Sequence, residues 1–194
     1  MNLSPLVWRA LNFAAKKHEG QKRKADGLPF LVHPVAVAWI LSEYTDDEKI
    51  IAAGLLHDIL EDVEGDNYEE IIREFGPEIA EFVKDVSEDK DPNEPIENEL
   101  PWMERKQSYL DHLKKTGRAA RLISTADKIH NLQSMMDAYD KLGENIWTKF
   151  NSPPGKKIWF YEEVYKIVAD TIPETLKIRY GRLLEEAKQK FKLP

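Results

Sequence analysis

Residues 55–62 read LLHDILED: one imidazole, His57, and three carboxylates, Asp58, Glu61 and Asp62, set among four aliphatic side chains. At about 100° per residue in a helix, positions 57 and 61, and 58 and 62, lie one turn apart, so the four polar groups share a sector. Leu55, Leu56, Ile59 and Leu60 make most of the remaining circumference apolar, which marks a buried helix. Unpaired ionised carboxylates in low dielectric would cost several kcal/mol or take up protons, whereas a divalent cation would neutralise them and accept imidazole nitrogen as well. The competing account is a solvated helix end with ordinary salt bridges.

A second stretch, ISTADKIHNLQSM at 123–135, puts Asp127 and Asn131 one turn apart on a stripe with Ala120, Ser124 and Ser134, opposite Leu122, Ile129 and Met136. A small, polar stripe backed by an apolar one suits a helix lining a pocket. A capped or solvent-bonded Asp–Asn pair would give the same pattern. A third, basic stretch carries Lys22, Arg23 and Lys24; Arg can hold phosphate through its fork or stack on a purine, Lys acts as a point charge, and a solvated basic loop is the plain alternative.

Helices must position these stretches. Ser4 and Pro5 open a first helix as N-cap and first helical residue. Gly20, Gly27 and Pro29 make 19–34 a loop, and Pro34 opens a second helix, leaving His33 at its entrance. A third helix is expected from Asp46 to Val63, then a pair divided by Gly76 and Pro77. Residues 88–100, acidic with prolines, fit a solvated loop. Helices resume with PWMERKQSYLDHLKK, GRAARLISTADKIHNLQSMMDAYDK and a short ENIWTKF; after the turn NSPPGKK come IWFYEEVYKIVADTI and PETLKIRYGRLLEEAKQKF. The expectation is an all-α, compact bundle of about eight to ten helices with negligible strand.

A chain of 194 residues, 42% hydrophobic, suffices for one substantial core, so one domain over 1–194 is expected. The absence of cysteine rules out disulfides and thiolate metal sites and permits an intracellular location. A net charge of −7 argues against binding a nucleic-acid polymer. No apolar run approaches the roughly 20 residues that span a bilayer, and MNLSPLVWRA lacks a leader pattern, so a soluble, cytoplasmic protein off the membrane is expected.

His33, the His57-Asp58 pair and Asp127, in that order, resemble the HD phosphohydrolase superfamily, whose pattern is a histidine, an adjacent His-Asp and a later aspartate. More narrowly, AAKKHEGQKRKADGLPFLVHPVAVAWIL, AAGLLHDILEDVEGDNYEEIIREFGPEIAEFV and LISTADKIHNL look like the hydrolase domain of the RelA/SpoT family and its stand-alone small alarmone hydrolases. The likeness covers most of 10–135 and leaves the rest as a C-terminal helical extension.

That resemblance implies removal of pyrophosphate from the 3′ position of guanosine tetra- or pentaphosphate, the stringent-response alarmones, with a divalent metal, usually manganese. It implies His33, His57, Asp58 and Asp127 as metal ligands, and Glu61 and Asp62 as the residues acting on the attacking water. It implies Arg23, Lys24, Asn131 and Tyr161 as nucleotide contacts, Tyr161 closing the pocket from the C-terminal side near Lys156 and Lys157. His18 would brace the basic loop, His130 would pack or bond locally rather than bind metal, and Trp147, Phe150, Trp159, Phe160 and Tyr165 would serve the core or an oligomer contact. Two other functions remain open: an HD phosphohydrolase for a nucleoside monophosphate or a phosphorylated dinucleotide cofactor, and a non-catalytic nucleotide-binding module. A homo-oligomer is left open as well.

Overall fold

The computed structural model describes residues 4–24, 26–88, 101–150 and 152–193. The helices are α1 (Pro5–Lys17), α2 (Val32–Ser42), α3 (Glu48–Leu56), α4 (Ile59–Asp62), α5 (Asn67–Phe75), α6 (Pro77–Val86), α7 (Trp102–Leu113), α8 (Arg118–Leu142), a 3₁₀ segment (Gly143–Lys149), α9 (Pro154–Val168) and α10 (Glu174–Lys190). The protein is all-α; the one β feature among the described residues is an isolated bridge between Lys22 and Pro29. No helix among them is long and apolar enough to cross a membrane.

The long helix α8 forms the axis. Every side chain from Leu122 to Ile129 is buried, because α2, α3, α6, α9 and α10 all pack around it. Its polar residues Ser124, Asp127 and Lys128 therefore lie inside the protein, where each needs a partner. Helix α3 packs between α1, α2 and α6. Its approach to α2 is close enough that a Cβ on Gly54 would stand 2.4 Å from Leu41 Cδ1, so any larger residue there would force the Leu41 side chain to shift. Leu56 and Ile59, both without solvent exposure, flank the His57-Asp58 pair and anchor it at about 1.5–3 kcal/mol of burial each.

Three boundaries differ from the sequence expectation. The helix expected from Asp46 to Val63 is two: α3 ends at Leu56, and α4 starts at Ile59. His57 Nδ1 donates to the Gly54 carbonyl at 2.8 Å, an acceptor that an unbroken helix would give to the Asp58 N–H. Asp58 then turns at φ −91°, ψ −4°, the bridge region found at turns and active sites. Helix α2 begins at Val32, which puts His33 inside its first turn. Helix α9 begins at Pro154, so part of the expected turn NSPPGKK is helical and Lys157 projects from its first turn. Of the acidic run, residues 89–100 lie outside the described residues; Glu88 is described, and its side chain is only 10% exposed, held by Lys106 rather than solvated.

Candidate active site

A cavity of about 490 Å³ opens where α2, the α3–α4 turn, α7, α8 and α9 meet the basic loop. At one end lie the imidazoles. His33 Nε2 and His57 Nε2 face each other at 3.1 Å. Asp58 reaches His33 Nε2 through Oδ2 at 3.3 Å and His57 Nε2 through Oδ1 at 3.1 Å. Asp127 Oδ1 stands 3.1 Å from His33 Nε2 and 3.8 Å from His57 Nε2. Donor atoms of His33, His57 and Asp58 all fall within 4.8 Å of one another, and Asp127 joins them through the two imidazoles.

This donor set fits a divalent ion. Neighbouring ligands on an octahedral ion about 2.1 Å away are about 3 Å apart, the spacing seen between these nitrogens and oxygens. His57 donates its Nδ1–H to Gly54, so its Nε2 lone pair is the one turned toward the cluster. The electrostatics also ask for positive charge. Burial disfavours charge on His57, yet Asp58 and Asp127 outweigh it and raise the imidazole to about 9. Burial likewise works against Asp58, but His57 and His33 bring it down to about 2. Asp127 is held well below the ordinary carboxylate range: burial opposes this, and the Lys128 ammonium and the imidazoles prevail.

Asp127 is fixed from behind, with Lys128 bonding Oδ2 and Asn131 Nδ2 donating to Oδ1. Lys128, itself buried, rests over Tyr109 at 5.0 Å and Phe160 at 5.4 Å. Its pKa stands well above the usual value, because Asp127 overcomes the desolvation penalty.

Glu61 and Asp62 line the same cavity beyond the break in the helix. Glu61 Oε1 accepts the Glu88 N–H at 2.8 Å. Burial, then Glu88 and Asp58, push its carboxyl up to about 8. The Asp62 carbonyl accepts from Gln21 Nε2 at 2.8 Å, and Gln21 in turn meets His18 Nδ1 at 2.8 Å. His18, stacked on Phe30, thereby braces the basic loop and ties it to the end of α4.

The rest of the lining is cationic and aromatic. Arg23 and Lys24 join it from the loop, and Arg23 Nε is buried without a hydrogen-bond acceptor among the described residues. Helix α7 contributes Trp102, Lys106 and Tyr109; helix α9 contributes Lys157, Phe160 and Tyr161. Lys106 pairs with Glu88 and lies 4.6 Å over the Phe160 ring. Lys157 sits 4.3 Å over Phe150; burial, with Lys106 and Lys24 nearby, lowers its pKa to about 8.

All ten site residues expected from sequence, His33, His57, Asp58, Asp127, Glu61, Asp62, Arg23, Lys24, Asn131 and Tyr161, line this one cavity. The amide of Asn131, expected to meet a nucleotide, is engaged by Asp127. Lys106, Trp102 and Tyr109 were missed; Lys128 and Lys157 were weaker candidates left out of the expected set, and Phe160 is both the core residue expected and part of the lining. A signal existed: 102, 106 and 109 fall at i, i+4 and i+7 of α7, and 157, 160 and 161 at i, i+3 and i+4 of α9, each set one helical face. Phe150 and Phe160, expected as core or oligomer contacts, both border the cavity.

Comparison with known proteins agrees with this geometry. The HD domain profile matches residues 10–155. The chain is 38% identical over 133 residues to the guanosine-3′,5′-bis(diphosphate) 3′-pyrophosphohydrolase MESH1 of Xenopus tropicalis, covering 67% of this chain and 69% of that protein. It is 35% identical over 129 residues to the bifunctional (p)ppGpp synthase/hydrolase SpoT of Escherichia coli, covering 63% of this chain and 17% of SpoT. Among solved structures, one described as a metazoan ortholog of SpoT that hydrolyzes ppGpp is similar at a TM-score of 0.76 and 25% identity, over 94% of this chain and 96% of that one. The profile stops at 155, but that structural match continues into the helices that carry Lys157, Phe160 and Tyr161.

Proposed function

The chain belongs to the HD domain family, and we propose that it is a manganese-dependent guanosine 3′,5′-bis(diphosphate) 3′-pyrophosphohydrolase. The observation that carries this reading is the make-up of the cavity: a two-imidazole, two-carboxylate donor set shares one lining with Arg23, Lys24, Lys106 and Lys157. A substrate with phosphates on both sides of its sugar would set one group at the donor set and offer the other to these cations, and the aromatic side chains of the lining suit a purine. The relatives named as ppGpp hydrolases have the same family fold.

His33, His57, Asp58 and Asp127 would hold the ion, their nitrogen and oxygen donors suiting manganese. When bound, it supplies Lewis-acid charge to the phosphate oxygens and makes nearby water more acidic. The remaining work falls to the chain. Glu61, beside the donor set, orients the attacking water and accepts its proton, with Asp62 as its neighbour in that task. The water oxygen bonds to the 3′-ester phosphorus, the phosphorus–O3′ bond breaks, and GDP and pyrophosphate result. A cation held by the donor set would draw Glu61 down from about 8 toward the range where it is a base at neutral pH. Arg23, with its unsatisfied buried Nε, Lys24, Lys106 and Lys157 bind the remaining phosphates. Tyr161 closes the wall over the nucleotide, and Asn131 holds Asp127.

The test is pyrophosphate release from guanosine 3′,5′-bis(diphosphate) by metal-stripped protein, before and after manganese is added, with Glu61→Gln as control. Manganese-dependent release of GDP and pyrophosphate, lost in the variant, is the expected result. No release from folded, metal-loaded protein would overturn the substrate assignment and direct the search to other nucleotides.

A further inference from the structure

His130 has no part in the chemistry described so far. Its Nδ1 stands 2.7 Å from His33 Nδ1, with the rings 4.9 Å apart and tilted by 35°. Its Nε2 faces Ser134 Oγ at 3.4 Å. The far side of the His33 ring, through Nε2, meets His57, Asp58 and Asp127.

Two imidazole nitrogens at 2.7 Å must share one proton, since two N–H groups would collide and two lone pairs would repel. For His33 Nε2 to give its lone pair to a cation, the neutral ring must carry its proton on Nδ1. His130 Nδ1 is then the acceptor, and the proton of His130 has to sit on Nε2, toward Ser134. His57 is locked by a backbone carbonyl, which can only accept. His33 is instead locked by a ring that can accept or donate, so its tautomer depends on what holds the far side of that ring.

We propose that His130 is a positioning residue for the metal site: it accepts the His33 Nδ1 proton and, backed by Ser134, fixes the tautomer that turns the His33 Nε2 lone pair toward the cation. The inference rests on the divalent-cation part of the function above and not on the identity of the nucleotide.

The experiment needs no substrate. Manganese affinity is measured by chelator competition on metal-stripped wild type, His130→Leu and His130→Gln, with thermal melts to show that all three fold. Long-range ¹H–¹⁵N correlation of the zinc-loaded wild type, zinc being diamagnetic, reads the tautomers. His130→Leu should bind manganese about 10–100-fold more weakly. His130→Gln, whose side-chain carbonyl can accept the same proton, should recover most of that loss. The spectra should place the His33 proton on Nδ1 and the His130 proton on Nε2. Unchanged affinity in His130→Leu, equal losses in both variants, or a His130 proton on Nδ1 would overturn the proposal. Wild type that binds no divalent cation would remove the metal reading and this inference together, whereas failure to cleave the alarmone leaves both standing.

Discussion

At the imidazole end of the cavity, each donor is held by another buried group: His57 by the Gly54 carbonyl, His33 by His130, and Asp127 by Lys128 and Asn131. Among the cations of the lining, Lys157 rests on the face of Phe150 and Lys106 on that of Phe160 while pairing with Glu88, and a ring face restricts direction far less than a hydrogen bond does. The first arrangement sets atoms at spacings an ion can use; the second sets a field of positive charge that tolerates variation in where a phosphate lands. On the function proposed above, fixed geometry serves the chemistry and diffuse charge serves recognition within one cavity.

The largest effect expected from this division belongs to Asp58→Ala. It removes a carboxylate ligand that both imidazoles face, so manganese affinity should fall by more than the roughly 100-fold found for partners that merely support a ligand, and turnover should vanish. Metal content by mass spectrometry beside the rate checks both; an active Asp58→Ala enzyme would dissolve the distinction between the two ends. Next comes Glu61→Gln, which should lower kcat by about 10²–10⁴-fold while metal content stays at the wild-type level.

Smaller effects belong to the cationic wall. Lys157→Met should raise KM by about 10–100-fold, the equivalent of one charge-assisted hydrogen bond at about 1.5–3 kcal/mol, with kcat and metal content little changed. Its sign with pH is defined. With a pKa lowered to about 8, Lys157 is charged below that pH and loses its charge above it. Wild-type kcat/KM should therefore decline as pH rises through about 8, and the part of that decline due to Lys157 should be missing from a Lys157→Met profile. Trp102→Ala, which removes one of the two rings beneath Lys106, should raise KM only about fivefold, as suits a cation–π contact near 1 kcal/mol. A comparable drop in metal affinity from Lys157→Met or Trp102→Ala would show that the two ends are not independent.

The same contrast explains what could be read from the sequence. The donor end was legible through its resemblance to the HD pattern, His33, then His57 beside Asp58, then Asp127; the spacing within each stretch alone left ordinary salt bridges and a capped Asp–Asn pair open. The helices were legible from apolar periodicity and from Ser4, Pro5, Gly76 and Pro77 at their ends. The break after Leu56 was not, because it depends on one side-chain nitrogen taking a carbonyl from the backbone, and the apolar pattern continues straight through it. The part of the cationic wall on α7 and α9 was harder to read for another reason. Lysines and aromatics are common on any helix, and Lys106, Lys157 and Phe160 become a site only when α7 and α9 pack against α8. His130 was read correctly as a local partner, but its partner proved to be His33.

The donor residues come from α2, the α3–α4 turn and α8, elements far apart along the chain that meet only in the finished fold. An unfolded chain would present His33, the His57-Asp58 pair and Asp127 apart from one another, so an ion that binds all four would favour the native state by mass action, about 2.7 kcal/mol at a hundred times its dissociation constant. Manganese would then act as a folding ligand, and a chelator as a mild denaturant. In a cell short of the metal, the unfolded fraction open to proteases would rise, so metal supply would set how much of this protein survives as well as how fast it works.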